Sequence, residues 1–494
     1  MKKHLHVSAL LLMLTTAFYS FGQQRYLDEV FTEVQITNDV KYGENYSTLS
    51  GIPTLTDLFM DVYQPANDDA TVCRPVVIFL HTGSFLPPPI NRGCTGTRQD
   101  SSVVEICTRF AKRGYVAAAI SYRLGWNAGS QDQDIRTSTL LQAVYRALID
   151  AKTAVRYFRN DALTMGYWNS DPDKIIVGGQ GSGGYMALAY GALNKPHEIL
   201  LDKFTDANTG EPYVDSLIFG NYDGFGGTVP NNFENYPGLS SEVQMIFNMG
   251  GALGDSSWLE AGEPPIVAFH SPSDPFAPYG FGSVIVPTTG DFVVEVSGSY
   301  DAVRRANMLG NNDIFVNANY TDDFTLRANE ENDGFEGLFP FVVPGQQAAP
   351  WDWWDTLCFG YPTVHANALN TNPDMSALKG RSYIDSVMGY VAPRAFTVLS
   401  PLGTCSFSAV EENTLQTVTV FPNPADETFT ISGSQIGNNI QNIRMVDITG
   451  RTIFSYGKLN QPKLTIDGNK YAPGIYMLNI DFDKGSTSTK VVIK

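Results

Sequence analysis

Positive charge is scarce in this sequence. Lysine and arginine together number 33 against 51 aspartates and glutamates, a formal net charge of −18 over 494 residues. Nucleic acid and anionic membranes are held by basic patches, so neither is an expected partner. Cysteine is sparse as well. The five present (Cys73, Cys94, Cys107, Cys358, Cys405) permit at most two internal disulfides and leave at least one thiol over. Cys107 falls inside a helical apolar pattern and is the one expected to be buried and free. No cysteine spacing resembles a zinc site, and no metal or cofactor is expected. Long apolar runs are missing too. Val7–Thr16 follows Lys2 and Lys3 and precedes Ser20-Phe21-Gly22, which is the form of a secretory signal peptide over residues 1–22. It is too short to span a bilayer, and no later stretch qualifies as a transmembrane segment.

What remains is ample for a core. Apolar residues make up 43% and aromatics 12%, and the length accommodates one large domain plus a smaller one. The most informative stretch is Asp171 to Tyr185, DPDKIIVGGQGSGGY. A short β-rich apolar run (Lys174–Gly178) leads into a turn with five glycines between Gly178 and Gly184. A helical apolar pattern at Tyr185, Met186, Leu188 and Ala189 follows. Strand, tight turn and helix in that order describe a nucleophile elbow, in which flanking positions must be small. In the ungapped register the nucleophile position is Gly181. Taking Ser182 instead puts Gln180 and Tyr185 where small residues are needed.

Other phrases agree with that frame. Arg74–Leu80 is a continuous apolar strand followed by His81-Thr82-Gly83-Ser84-Phe85. Tyr115–Tyr122 is the next, ending Tyr122-Arg123-Leu124-Gly125. Ile135–Asn160 is a long amphipathic helix carrying Asp150, Arg156 and Arg159, and Pro264–Phe269 precedes His270-Ser271-Pro272-Ser273-Asp274, ending at Pro278-Tyr279. Over about residues 50–400 these motifs resemble the carboxylesterase-like α/β-hydrolases. The resemblance implies an α/β fold, a mostly parallel sheet with helices on both faces. It implies hydrolysis of a small-molecule or polymer ester, carbohydrate-linked esters included, through an acyl-enzyme. The oxyanion hole would come from Gly83, Ser84 and the N–H of Ser182, and Asp274 would be the triad acid, with His270 structural. His365 alone lies in the segment where the chain order nucleophile, acid, histidine puts the general base. Ser182 would have to replace the serine missing at Gly181. Three readings stay open: an esterase using Ser182, a catalytically inactive binder of a carbohydrate or ester ligand at the cell surface, and water activation by Asp274 and His365.

The hydrolase unit is expected over residues 23–405, with a lid-like insertion at about 280–360. Trp351, Trp353 and Trp354 in that insertion either line a pocket mouth, stacking on sugar or aryl groups, or glue the insertion to the sheet. The acidic residues there (Asp322, Asp323, Glu330, Glu331, Asp333) lack a calcium-ligand spacing and read as a solvated face. A final helix is predicted at Met375–Met388 and a last strand at Arg394–Ser400. Residues 410–494 form a separate all-β sandwich of short alternating strands. Its phrases Phe421-Pro422-Asn423-Pro424, Asp447-Ile448-Thr449-Gly450-Arg451, Pro473-Gly474-Ile475-Tyr476 and Lys490–Lys494 resemble the type A C-terminal sorting domain of the type IX secretion system. That implies the secretion machinery as a partner, export through the periplasm and outer membrane, and a secreted or cell-surface protein. Sugar binding by the sandwich is the alternative.

Overall fold

The computed structural model describes residues 23–68, 72–286, 289–403, 418–433, 439–447, 451–483 and 486–494. The signal-peptide expectation and Cys405 lie outside them. The chain divides into two compact units, residues 1–405 and 406–494.

The larger unit is built on eight strands: β1 Val34–Ser47, β2 Thr54–Pro65, β3 Arg74–Leu80, β4 Val116–Ile120, β5 Ser170–Gln180, β6 Met245–Met249, β8 Ile266–His270 and β11 Leu338–Pro340. A smaller sheet joins β7 Ala252–Leu253, β9 Phe281–Ile285 and β10 Phe292–Gly298. The main sheet has the order β1-β2-β4-β3-β5-β6-β8-β11, antiparallel at β1/β2 and β2/β4 and parallel elsewhere. Parallel neighbours require crossovers, supplied by α1 Ser101–Lys112, α2 Gln133–Leu163 and α3 Ser182–Ala192. This is the α/β-hydrolase arrangement.

Strand β3 shows why the sheet is buried on both faces. Val76, Ile78 and Leu80 enter one core and Val77 and Phe79 the other, all fully buried. The two-residue period divides them, and each such side chain contributes about 1.5–3 kcal/mol by leaving water. Helix α1 meets the sheet through Val103, Ile106, Cys107 and Phe110, a stripe at helical spacing. Cys107 is indeed the buried free thiol. At the end of β4, Arg123 Nη2 pairs with the fully buried Asp150 Oδ1 on α2 at 2.8 Å, and its backbone N–H donates to the same carboxylate at 2.8 Å. The pair is closed because both charges keep several hydrogen bonds once water is excluded.

The region after β8 departs from expectation. Residues 280–360, expected as a lid-like insertion, contain regular elements. They hold the β9–β10 hairpin, helices Ser299–Met308, Asp313–Ala318 and Asp323–Asn329, and β11, the edge strand of the main sheet. Asp322, expected on a solvated acidic face, caps a helix, accepting from Phe324 N at 3.1 Å and Thr325 N at 3.0 Å. Arg394–Ser400 is not the last strand either. Helix Ala377–Leu399 runs through Pro393, keeping Val387, Val391, Ala395 and Leu399 buried on one face while Arg394 pairs with Glu336. Three-residue β11 was hidden in a glycine- and acid-rich stretch because its apolar signal is too short to show a period. A disulfide joins Cys94 to Cys358, 264 residues apart, and Cys73 is also disulfide-bonded.

The smaller unit has two antiparallel sheets. One pairs Val418–Phe421, Thr428–Gly433 and Lys463–Asp467, and the other has the order Thr452–Gln461, Ile440–Asp447, Gly474–Phe482, Ser486–Ile493. Phe429, Ile431, Ile443, Met445, Leu478, Ile480 and Val491 fill its core. The strands Thr452–Gln461 and Lys463–Asp467 were not foreseen.

Candidate active site

The parallel strands end at a cavity of about 630 Å³. Its floor is the turn from β5 to α3. Gly181 there has φ 54° and ψ −120°, a conformation costing a residue with a side chain about 1–3 kcal/mol. Its N–H donates to Met249 O at 2.8 Å, tying the turn to β6. Gly183 allows helix α3 to meet β3: a Cβ on it would fall 2.2 Å from Leu80 O. The strained elbow is therefore formed in full.

A side chain at its apex has no room. A Cβ built on Gly181 lies 2.1 Å from Thr82 Oγ1 and 2.9 Å from Thr82 Cβ. Threonine stands in the loop after β3, and its branched side chain occupies the volume a nucleophile would need. In the sequence Thr82 is only one residue of the loop phrase His81–Phe85. Its partnership with Gly181 spans about a hundred positions and leaves no local signal.

Ser182, the first residue of α3, is buried and turned inward. Its Oγ lies 3.2 Å from the Tyr122 hydroxyl, which donates to His81 O at 2.8 Å. With the single phenolic proton so used, the Ser182 hydroxyl donates to Tyr122. Burial pushes the Tyr122 phenol well above its ordinary value. His81 is no base: burial lowers it to about 4, leaving it neutral, and its Nδ1 meets Thr82 O at 2.5 Å.

The loop after β3 faces the cavity through Thr82, Gly83, Ser84 and Phe85. Ser84 and Phe85 take positive φ (56° and 55°), and Trp126 Nε1 fixes the loop by donating to Ser84 O at 2.8 Å. Among the described residues, the N–H groups of Gly83, Ser84 and Ser182 donate to no protein acceptor.

Asp274 also lines the cavity, in the turn after β8. Oδ1 accepts from Phe276 N at 2.7 Å and Ala277 N at 3.1 Å, and Oδ2 lies 3.8 Å from His270 Nε2. Burial raises its carboxyl to about 7. His270 is fully buried and lowered by that burial to about 4. Its neutral ring bridges Ser299 Oγ (2.6 Å) and Ala277 O (3.1 Å). His365 is on the helix Pro362–Ala368, where its Nδ1 accepts from Trp354 Nε1 at 3.1 Å. Among the described residues no hydrogen bond or ion pair joins His365 to Asp274, and His365 is not part of the cavity lining. Of the tryptophans, Trp351 and Trp354 line the cavity, whereas Trp353 lies beneath the Arg381 guanidinium, 5.2 Å from its ring centre.

One acid in the wall was missed. Asp352 Oδ1 accepts from Gln180 Nε2 at 3.2 Å and from Ser102 Oγ, and burial raises its carboxyl to about 6. The remaining wall is largely apolar, with Leu140, Val144 and Leu148 of α2 opposite Val294 and Val296 of β10. The Cys94–Cys358 disulfide ties a wall segment to the chain before His365.

Residues 60–226 match the family model described as BD-FAE, and residues 419–494 match the one described as Secretion system C-terminal sorting domain. No curated protein matches. Solved structures similar to the chain include Thermogutta terrifontis esterase 2 phosphorylated by paraoxon, with 17% identity, 68% of this chain and 92% of that chain covered, and a TM-score of 0.34. The butyrate-bound form of the same organism's esterase gives 16%, 63%, 87% and 0.34. The larger unit is thus esterase-like and the smaller a secretion sorting domain, which marks the protein for export to the cell surface or medium. No helix among the described residues is long and apolar enough to cross a membrane.

Proposed function

We propose that this exported, esterase-like protein holds an ester-bearing or carbohydrate ligand in its cavity without hydrolysing it, acting at the cell surface or after release. One observation carries the reading: Gly181 occupies the nucleophile position and Thr82 fills the space above it. Acyl transfer needs a nucleophile touching its base. The one serine at the turn donates instead to a phenol, and the histidine foreseen as base is bonded to an indole. In serine proteases, loss of the nucleophile costs roughly 10⁶ in kcat, leaving roughly 10³–10⁴ over water from binding and the oxyanion hole. The cavity itself, with its free N–H groups, Trp351 and Trp354, remains suited to binding. The test pairs two measurements on the wild-type chain. Hydrolysis of p-nitrophenyl acetate and butyrate should not exceed roughly 10³–10⁴ over water, with no labelling by a serine-directed phosphonate. Calorimetry with acetylated oligosaccharides should show saturable binding. Rapid turnover with stoichiometric labelling would overturn the reading.

A further inference from the structure

Outside the cavity, three side chains with metal-ligating atoms meet on two short segments. His197 and Glu198 belong to the single-turn helix Pro196–Leu200 that follows α3, and Glu260 follows the turn Ser256–Trp258. Each contributes one imidazole nitrogen or carboxylate oxygen, and the three atoms all lie within 4.8 Å of one another. The segments are held against each other by Trp258 Nε1 donating to Glu198 O at 2.8 Å and Asn194 Nδ2 donating to Glu263 Oε1 at 2.9 Å. None of the three candidate ligands lines the cavity.

An independent feature points to a bound cation. Glu198 is only 2% exposed. Its Oε2 accepts from Asn194 N at 2.8 Å and Lys195 N at 2.7 Å, while its buried Oε1 meets no hydrogen-bond donor among the described residues. A buried carboxylate oxygen without a donor is rare, because the charge has given up water for nothing. Nearby charge does not supply the missing partner. Lys195 Nζ pairs with Glu260 Oε2, Arg305 acts on Glu260 from farther off, and Glu263 adds a third carboxylate, its Oε2 accepting from Glu260 N at 2.9 Å. The cluster stays short of positive charge.

We infer that His197, Glu198 and Glu260 bind a divalent transition-metal ion, with zinc as the best-fitting probe. An imidazole nitrogen with two carboxylate oxygens suits zinc and its neighbours, whereas calcium and magnesium favour oxygen alone. Around a tetrahedral ion with bonds of about 2.1 Å the ligand atoms sit about 3.4 Å apart, so separations of up to 4.8 Å must close by up to about 1.4 Å. His197 is exposed and can swing toward the fixed Glu198, while half-buried Glu260 would exchange its Lys195 partner for the ion. The ion would clamp the segment after α3 to the segment before β8, and a fourth position would be left to water.

The full chain, stripped with a chelator and dialysed, is titrated with zinc chloride by calorimetry and with cobalt(II) by its visible absorption. One ion per chain is expected, with no competition from calcium. Glu198→Gln retains an oxygen for the Asn194 and Lys195 N–H groups, and His197→Ala alters an exposed side chain. Each should weaken zinc binding roughly tenfold or more. No binding by wild type, or wild-type affinity in both variants, would overturn the site. Should Glu198→Gln fail to fold by circular dichroism, His197→Ala decides alone. Ester assays are unaffected in either case, so this result is separable from the cavity's role.

Discussion

Two parts of the expected catalytic site differ in opposite ways. At the β5–α3 turn the geometry of a hydrolase elbow is complete and the reactive group is missing. Gly181 keeps the strained conformation, Gly183 the close approach to β3, and the N–H groups of Gly83, Ser84 and Ser182 stay free. In the segments after β8 and β11 the reactive residue types are present, but among the described residues no hydrogen bond or ion pair joins them. Asp274 caps its own turn, and His365 answers to Trp354. The difference is one of how each half is held. The elbow is fixed by backbone sterics among neighbouring glycines and strands, which persist whatever the apex side chain is. A base–acid contact depends on two loops meeting, and no backbone constraint of that kind enforces it.

The contrast can be broken most forcefully at the apex. Gly181→Ser should destabilise the larger unit by about 2–6 kcal/mol, combining overpacking against Thr82 with backbone strain. Adding Thr82→Gly should return the overpacking part, about 1–3 kcal/mol, as measured by urea unfolding. Rapid ester hydrolysis should appear in neither variant. A single variant as stable as wild type would mean that Thr82 does not fill the site. A hydrolytic burst in the double variant would mean that the second half assembles after all.

A smaller effect separates buried acids from catalytic ones. Burial raises Asp352 from 3.8 to about 6, so the folded state binds this proton more tightly than the unfolded chain does. Its contribution is fully present below about pH 4 and is lost as pH climbs to about 6, at a cost on the order of 3 kcal/mol. Asp352→Asn should flatten the pH dependence of unfolding across that window and be the more stable form at about pH 8. An unchanged profile would show that the carboxyl is solvated in the fold. The smallest change is expected at the hydroxyl. Ser182→Ala removes one buried hydrogen bond, worth about 1 kcal/mol, and His365→Ala should cost no more. Neither should alter residual ester turnover, and a parallel drop in both would tie them to one mechanism.

Much of the frame was legible beforehand. The buried strands β3 and β4, helix α2, the glycine turn and most of the sandwich strands each carry their signal within a few consecutive residues, because period and turn sterics are local. The region after β8 was not. There a three-residue edge strand, a helix continuing through Pro393 and acids serving as helix caps all owe their roles to what they pack against. His365 was placed by chain order, which fixes sequence and not distance.

The sequence by itself determined the elbow, since only glycines fit where β5, α3 and β3 crowd together, but it left Gly181 and Ser182 as rivals for the apex. Tertiary structure alone decided what fills the vacancy and where the leftover groups turn. Thr82 comes to Gly181 across two adjacent parallel strands, Ser182 to Tyr122, Trp354 to His365 and Gln180 to Asp352. A lone polar side chain finds its partner through contacts far apart in the chain, and no local pattern encodes that choice.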